Sequence, residues 1–185
     1  MSAAVAETLR AQGIEALSAT PAGGGASARM WHVILPAGEA VLRCPRAESG
    51  GMAIGAGAEA RVLRAATAAG VPAPRVLAEV AGTGGLDAGY LMERLDGEAL
   101  PGRLLRDEAY ASARSTLVDE AAAALARIHA VQGDPGVPVL GAADQLDLLE
   151  GVHRSFGVPV PAFELALRWL ARPRAGGGRA GPGPR

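Results

Sequence analysis

An arginine and a glutamate about sixteen residues apart are the side chains best suited to handle a phosphate group. Arg43 ends the apolar run 40–42, where a charge is costly unless it meets a partner or solvent. Glu59 opens the next helical segment, and an ion pair with Arg43 would place the guanidinium fork over phosphate oxygens. The alternative is an exposed strand-end arginine and a first-turn glutamate that simply favours the helix dipole. The residues alone leave both interpretations open.

A glycine-rich segment at 21–27 is a second candidate for phosphate contact. Glycines allow close approach to a backbone, so the N–H groups of Gly23, Gly24 and Gly25 could point at phosphate oxygens, with the Ser27 hydroxyl as a further donor. Because the chain has 26 glycines, a plain hairpin turn is the better interpretation of this segment taken by itself. It matches neither a Walker motif nor a dinucleotide fingerprint.

Composition and charge exclude several classes of protein. With 185 residues, 49% apolar and a net charge of −1, the chain can form a core and has no bulk electrostatic reason to bind nucleic acid or an anionic membrane. A lone cysteine, Cys44, excludes an internal disulfide and a Cys-based zinc site. His153 is predicted to be a surface residue. Without a signal segment or a long apolar run, we expect a cytoplasmic protein.

Hydrophobic spacing predicts strands in the first half of the chain and helices in the second. This order indicates an α+β domain in two layers or lobes. Leu117, Leu125 and Ile128 fall on one helical face, which predicts a buried apolar stripe. The predicted strands are residues 14–20, 30–35, 40–44, 75–80 and 88–95, and the predicted helices are residues 4–12, 58–69, 142–152, 161–172 and a long segment that begins near 106.

Taken in order, these segments resemble the aminoglycoside phosphotransferase and choline kinase-like family. The resemblance runs from about residue 14 to 171. It implies a protein-kinase-like small lobe, an antiparallel sheet plus a helix, followed by the first helices of a helical lobe. The corresponding domains are residues 1–96, 97–171 and a tail at 172–185. The segments that carry the resemblance are residues 23–27, 41–45, 59–65, 70–77, 90–97, 125–130 and 163–170.

The resemblance implies roles for the phosphate-handling residues. Gly24, Gly25 and Ser27 would cover the phosphates of ATP, Arg43 would bind them, and Glu59 would orient Arg43. Arginine stands here where a kinase site usually has lysine, and the planar fork is bulkier than an ammonium group.

The resemblance also implies an adenine pocket and a reaction. Met92 would line the pocket, and the backbone of Glu93 and Leu95 would hydrogen-bond the adenine edge. The implied activity is ATP-dependent phosphoryl transfer to a small hydroxyl-bearing substrate, with magnesium as the metal in the full-length family.

Parts of the family's catalytic loop have no counterpart in this sequence. The family reads His-Gly-Asp with an asparagine five residues beyond the aspartate, whereas the sequence contains no His-X-Asp and neither Asn nor Lys. These groups orient the attacking hydroxyl and hold magnesium. We therefore expect weak ATP binding, no magnesium ligands, and no activity of this chain on its own. The alternative function is a noncatalytic nucleotide-binding or regulatory module that acts through a partner.

The tail at 172–185 consists of Arg, Gly, Pro and Ala and is expected to be disordered. One hypothesis is a truncated or frame-shifted end. The alternative is a natural tail whose arginines contact an acidic partner or RNA.

Overall fold

The computed structural model describes residues 2–23, 27–46, 54–132, 136–137 and 141–171. Gly24, Gly25 and the tail 172–185 lie outside the described residues. The elements are α1 (Ser2–Ala11), β1 (Ser18–Ala22), β2 (Ala28–Leu35), β3 (Gly38–Pro45), α2 (Ala56–Ala68), β4 (Val76–Val80), β5 (Gly89–Glu93), α3 (Pro101–Arg106), a 3-10 turn (Glu108–Tyr110), α4 (Ala111–His129), α5 (Ala142–Ser155) and α6 (Pro161–Leu170).

The five strands form one antiparallel sheet in the order β1-β2-β3-β5-β4. β2 and β3 are a hairpin in which Leu35 lies opposite Gly38. The predicted α+β class is confirmed, because a kinase-like small lobe of sheet and helix is followed by helices. The first strand begins later than predicted, at Ser18. The chain turns before it, where the Ile14 N–H bonds the Leu9 carbonyl at 3.0 Å.

One face of the sheet packs against α1 and forms the core. Leu9 of α1 and Leu42 and Leu91 of the sheet are fully buried there. The side-chain amide of Gln12 joins the end of this helix to the chain after β4. It accepts from the Ala81 N–H at 2.8 Å and donates to the Ala81 carbonyl at 3.1 Å. This packing makes α1 an integral part of the small lobe.

The opposite face of the sheet carries α2. Directly opposite residues on antiparallel strands point to the same face, and the row formed by Met30, Arg43, Tyr90 and Glu79 is such a set. Two residues of α2 pair with this row: Glu59 with Arg43, and Arg64 with Glu79 at 2.5 Å. The strand register therefore decides which sheet side chains α2 meets.

The chain divides into two compact units, Met1–Val137 and Pro138–Arg185. The lobe boundary near residue 96 stays a prediction. In the first unit, the apolar stripe on α4 differs from the expectation that it is buried. Leu117, Leu125 and Ile128 are each about half exposed, at 49%, 51% and 50%. α4 contains no buried residue.

In the second unit, a polar cluster joins α5 to α6. Glu164 binds His153 at 3.1 Å and also binds Arg154, while His153 meets the ring of Phe163 edge-on, with the ring centres 5.4 Å apart. The prediction that His153 is a surface residue is wrong, because its side chain is only 11% exposed. Its partner, Glu164, lies on the next helix, and the sequence analysis did not predict this contact.

Among the described residues, no helix combines the length and the apolar composition that crossing a membrane requires.

Candidate functional site

The structure brings Arg43 and Glu59 together in a two-pronged ion pair. Arg43 Nε donates to Glu59 Oε2 at 2.9 Å, and Arg43 Nη2 donates to Glu59 Oε1 at 3.3 Å. Two parallel bonds fix the plane of the guanidinium as well as its position. Both side chains are 24% exposed. The hydrogen bond to Glu59 raises the pKa of Arg43, against the opposing effect of burial, so the guanidinium stays charged.

Tyr90 is a third member of this network, and the sequence did not reveal it as a site residue. Its hydroxyl donates to Glu59 Oε2 at 3.1 Å, and the residue is only 2% exposed. Burial, followed by the charge of Glu59, raises the pKa of Tyr90 to about 12, so the hydroxyl remains a protonated donor at neutral pH. A buried tyrosine usually finds a partner for its hydroxyl, but the identity of that partner depended on the strand register.

The paired Arg43 keeps donors for a ligand. A guanidinium has five N–H donors, and the contact with Glu59 uses one on Nε and one on Nη2. Because the pair as a unit is neutral, it attracts an anion through directed N–H groups more than through net charge. The arrangement suits a phosphate oxygen, which accepts such bonds with defined geometry.

Met92 lies on the same face of the sheet as Arg43. It is opposite Val41 of β3, two residues along that strand from Arg43, which corresponds to about 7 Å. His32 of β2 completes this neighbouring row and is exposed. The face beside the ion pair is thus apolar at Val41 and Met92 and accessible to solvent at His32.

The residue after Met92, Glu93, already has hydrogen-bond partners for its N–H group and its carboxylate. The Glu93 N–H donates to the Arg75 carbonyl at 2.9 Å, and its carboxylate accepts from Arg75 Nε at 3.2 Å, which lowers the pKa of Glu93. A bond from Glu93 to an adenine edge would therefore use its carbonyl oxygen. Leu95 follows β5 and is 59% exposed.

The remaining predicted phosphate contacts lie at the start of β2. Ser27 is exposed, and its carbonyl accepts from the Arg46 N–H at 3.1 Å, across the hairpin from the end of β3. Gly24 and Gly25 lie outside the described residues, so their role stays a prediction.

The described part of the chain contains no cluster of three or more His, Cys, Asp or Glu side chains that could coordinate a metal ion.

Comparison with known proteins gives the family. The model of the phosphotransferase enzyme family (APH) matches residues 18–181. The chain belongs to this family. The comparisons with curated proteins and with solved structures found no match. Phosphotransferases of this family generally act with ATP and magnesium on small-molecule substrates, and the kinase-like small lobe described above is the part that carries the Arg43–Glu59 pair.

Proposed function

We propose that this chain binds ATP on the sheet face beside α2, as the nucleotide-binding part of an ATP-dependent phosphotransferase for a small hydroxyl-bearing molecule. The observation that carries the proposal is the two-pronged Arg43–Glu59 pair, on the same sheet face as Met92, in a chain of the phosphotransferase enzyme family. The family match supports the reaction class, and the geometry supports the position of the phosphates.

In this proposal each residue has a defined contact. The donors of Arg43 that are not bonded to Glu59 bind phosphate oxygens, and Glu59 keeps the fork in plane. Met92 forms an apolar wall for the adenine ring. At the end of β5, the Glu93 carbonyl accepts from the adenine amino group, and the Leu95 N–H donates to a ring nitrogen.

The loop before β2 completes the phosphate contacts in this proposal. Backbone N–H groups of Gly24 and Gly25 and the hydroxyl of Ser27 would cover the phosphates. ATP supplies the phosphoryl group when bound. Because the sequence contains no asparagine and no His-X-Asp, we expect weak ATP affinity that changes little when magnesium is removed.

The experiment is calorimetric titration of ATP into the 185-residue chain, with and without magnesium. Arg43→Met should weaken binding by about tenfold or more, because a hydrogen bond to a charged group contributes roughly 1.5–3 kcal/mol. Arg29→Met is the matched control. Arg29 lies opposite Cys44, the residue after Arg43 on β3. Successive residues of a strand point to opposite faces, so Arg29 lies on the other face of the sheet, where it pairs with Asp87 at 3.4 Å.

Equal ATP affinities for the wild type and Arg43→Met would refute the proposed site. An equal loss in Arg29→Met would show that ATP follows general charge rather than the α2 face. Submicromolar affinity that requires magnesium would contradict the expected metal independence.

The second candidate function is a noncatalytic nucleotide-binding or regulatory module that acts through a partner. Two observations favour it. The 185 residues contain no asparagine and no His-X-Asp, and the apolar stripe on α4 at Leu117, Leu125 and Ile128 is half exposed. Both candidates require the same ATP site, and they differ in whether the chain turns over.

A further inference from the structure

We infer that Tyr90 is a positioning residue that holds Glu59, and through it the first turn of α2, in place before any nucleotide binds. The observation is the convergence of two donors on one oxygen. Arg43 Nε and the Tyr90 hydroxyl lie 2.9 and 3.1 Å from Glu59 Oε2. The effect on ligand affinity rests on the proposed ATP site, whereas the effect on Arg43 itself does not.

Tyr90 is a rigid anchor because of where it lies. It is on β5 directly opposite Arg43 of β3, and it is 2% exposed. A buried ring in a strand has few alternative positions, whereas the long side chains of Glu and Arg lose much rotamer entropy when they are fixed. By bonding Glu59, the Tyr90 hydroxyl fixes part of the Glu59 and Arg43 side-chain conformation before a ligand binds.

Most residues of α2 are partly rather than fully buried. Ala60 is the residue of α2 that is buried, and the helix start has no side-chain cap. The second polar link, Arg64 to Glu79, joins side chains that are 43% and 50% exposed, and such surface pairs contribute little. The bonds made by Glu59 are thus directed contacts that join the first turn of α2 to the sheet.

The Tyr90–Glu59 bond orders the site before a ligand binds. With Tyr90 bonded to Glu59, the fork of Arg43 is already oriented in the chain without ligand, so binding needs no prior movement of α2. A site without this bond would lose part of its affinity to the cost of ordering Glu59 and Arg43.

The test compares Tyr90→Phe with the wild-type chain. The change removes one hydroxyl and keeps the buried ring. We expect about three- to tenfold weaker ATP binding by calorimetry. We also expect the Arg43 Nε–H proton to exchange with solvent faster in Tyr90→Phe than in the wild type. NMR without nucleotide measures this exchange, and the signal is assigned by its loss in Arg43→Met. In Glu59→Ala, which leaves no acceptor for the Tyr90 hydroxyl on this side chain, the further change Tyr90→Phe should add little. Tyr110→Phe, the same change in the 3-10 turn, is the matched control and should alter neither quantity.

The two readouts separate the possible failures. If the wild type binds ATP and Tyr90→Phe binds equally well with unchanged Arg43 exchange, the inference is wrong while the proposed function stands. If no ATP binds to the wild type, the proposed function fails, and Arg43 exchange alone decides: faster exchange in Tyr90→Phe supports positioning, and equal exchange overturns it. If Tyr90→Phe does not fold, the Tyr90 hydroxyl proton of the wild type decides. A slowly exchanging signal that is lost in Glu59→Ala supports the bond, and a rapidly exchanging one refutes it.

Discussion

At the scale of single residues, the site depends on short polar contacts whose partners come from three separate elements. Arg43 lies on β3, Glu59 on α2 and Tyr90 on β5. Each contact is ordinary in length, and the pair is only partly buried, so its value for stability is modest. In the proposed ATP site its value for binding is orientation, because a fork held in plane would lose less entropy on binding a phosphate.

Gly89 gives a prediction at the same scale. A Cβ at this position would lie 2.5 Å from the Arg43 carbonyl oxygen and 2.6 Å from Cys44 Sγ, far inside contact distance. Gly89→Ala should therefore lower the free energy of unfolding by about 2–3 kcal/mol, because the strands β3 and β5 must separate. Urea unfolding measures this. The control is Gly102→Ala on α3, where nothing lies within 4 Å of the added carbon and stability should be unchanged or slightly higher. Matching losses in both variants would contradict the close approach.

At the scale of elements, α1 and α2 cover the two faces of the sheet by different means. α1 buries Val5, Ala6 and Leu9 in the core, whereas α2 buries Ala60, keeps most of its other residues partly exposed, and adds ion pairs from Glu59 and Arg64. Apolar burial is non-directional, whereas a hydrogen bond requires a defined distance and angle. The helix that carries Glu59 is thus joined to the sheet by directed bonds as well as by burial.

Leu9 provides the prediction for α1. It is fully buried, so Leu9→Ala should destabilise the chain by about 2–4 kcal/mol through lost burial and a cavity. Leu17→Ala is the control, since Leu17 is 64% exposed and the same change should stay within about 0.5 kcal/mol. Chemical unfolding followed by the fluorescence of the buried Trp31 is the measurement. If Leu9→Ala behaved like Leu17→Ala, α1 would not be part of the core.

At the scale of the whole molecule, the 185 residues combine a well-packed sheet with helices that bury little. All the fully buried large side chains among the described residues belong to α1 and the strands, whereas α3, α4, α5 and α6 contain no buried residue. Arg43, Glu59 and Met92, which are proposed to form the nucleotide site, belong to the well-packed part.

Turnover is the prediction at this scale. The purified 185-residue chain should show no ATP-dependent phosphorylation of hydroxyl compounds. Its sequence contains no His-X-Asp and no asparagine, so the groups that orient the attacking hydroxyl and hold the metal have no source here. Radiolabelled ATP with a panel of small alcohols and sugars provides the assay, with Arg43→Met as the background. Phosphorylation by the wild type that disappears in Arg43→Met would contradict the prediction and favour the catalytic candidate over the noncatalytic module.

The sequence predicted much of the fold because its signals are local. Apolar alternation and helical spacing depend on neighbours a few residues away, and they placed α1, the β2–β3 hairpin and α2 within a few residues of their observed bounds. Pro161 begins α6 as predicted, since proline suits a first helical turn. The meeting of Arg43 and Glu59 was also predicted, although the residues alone left an unpaired alternative open.

Sequence by itself thus determined the α+β order of elements and the residue types able to hold a phosphate. Tertiary structure decided what those residues meet. The order β3-β5-β4 places Tyr90 between Arg43 and Glu79, and this pairing of strands distant in the chain has no local signature. In the same way, the spacing of Leu117, Leu125 and Ile128 marks an apolar face, but whether that face is buried depends on what packs against it. Periodicity is a property of one segment, whereas register and burial belong to pairs of segments.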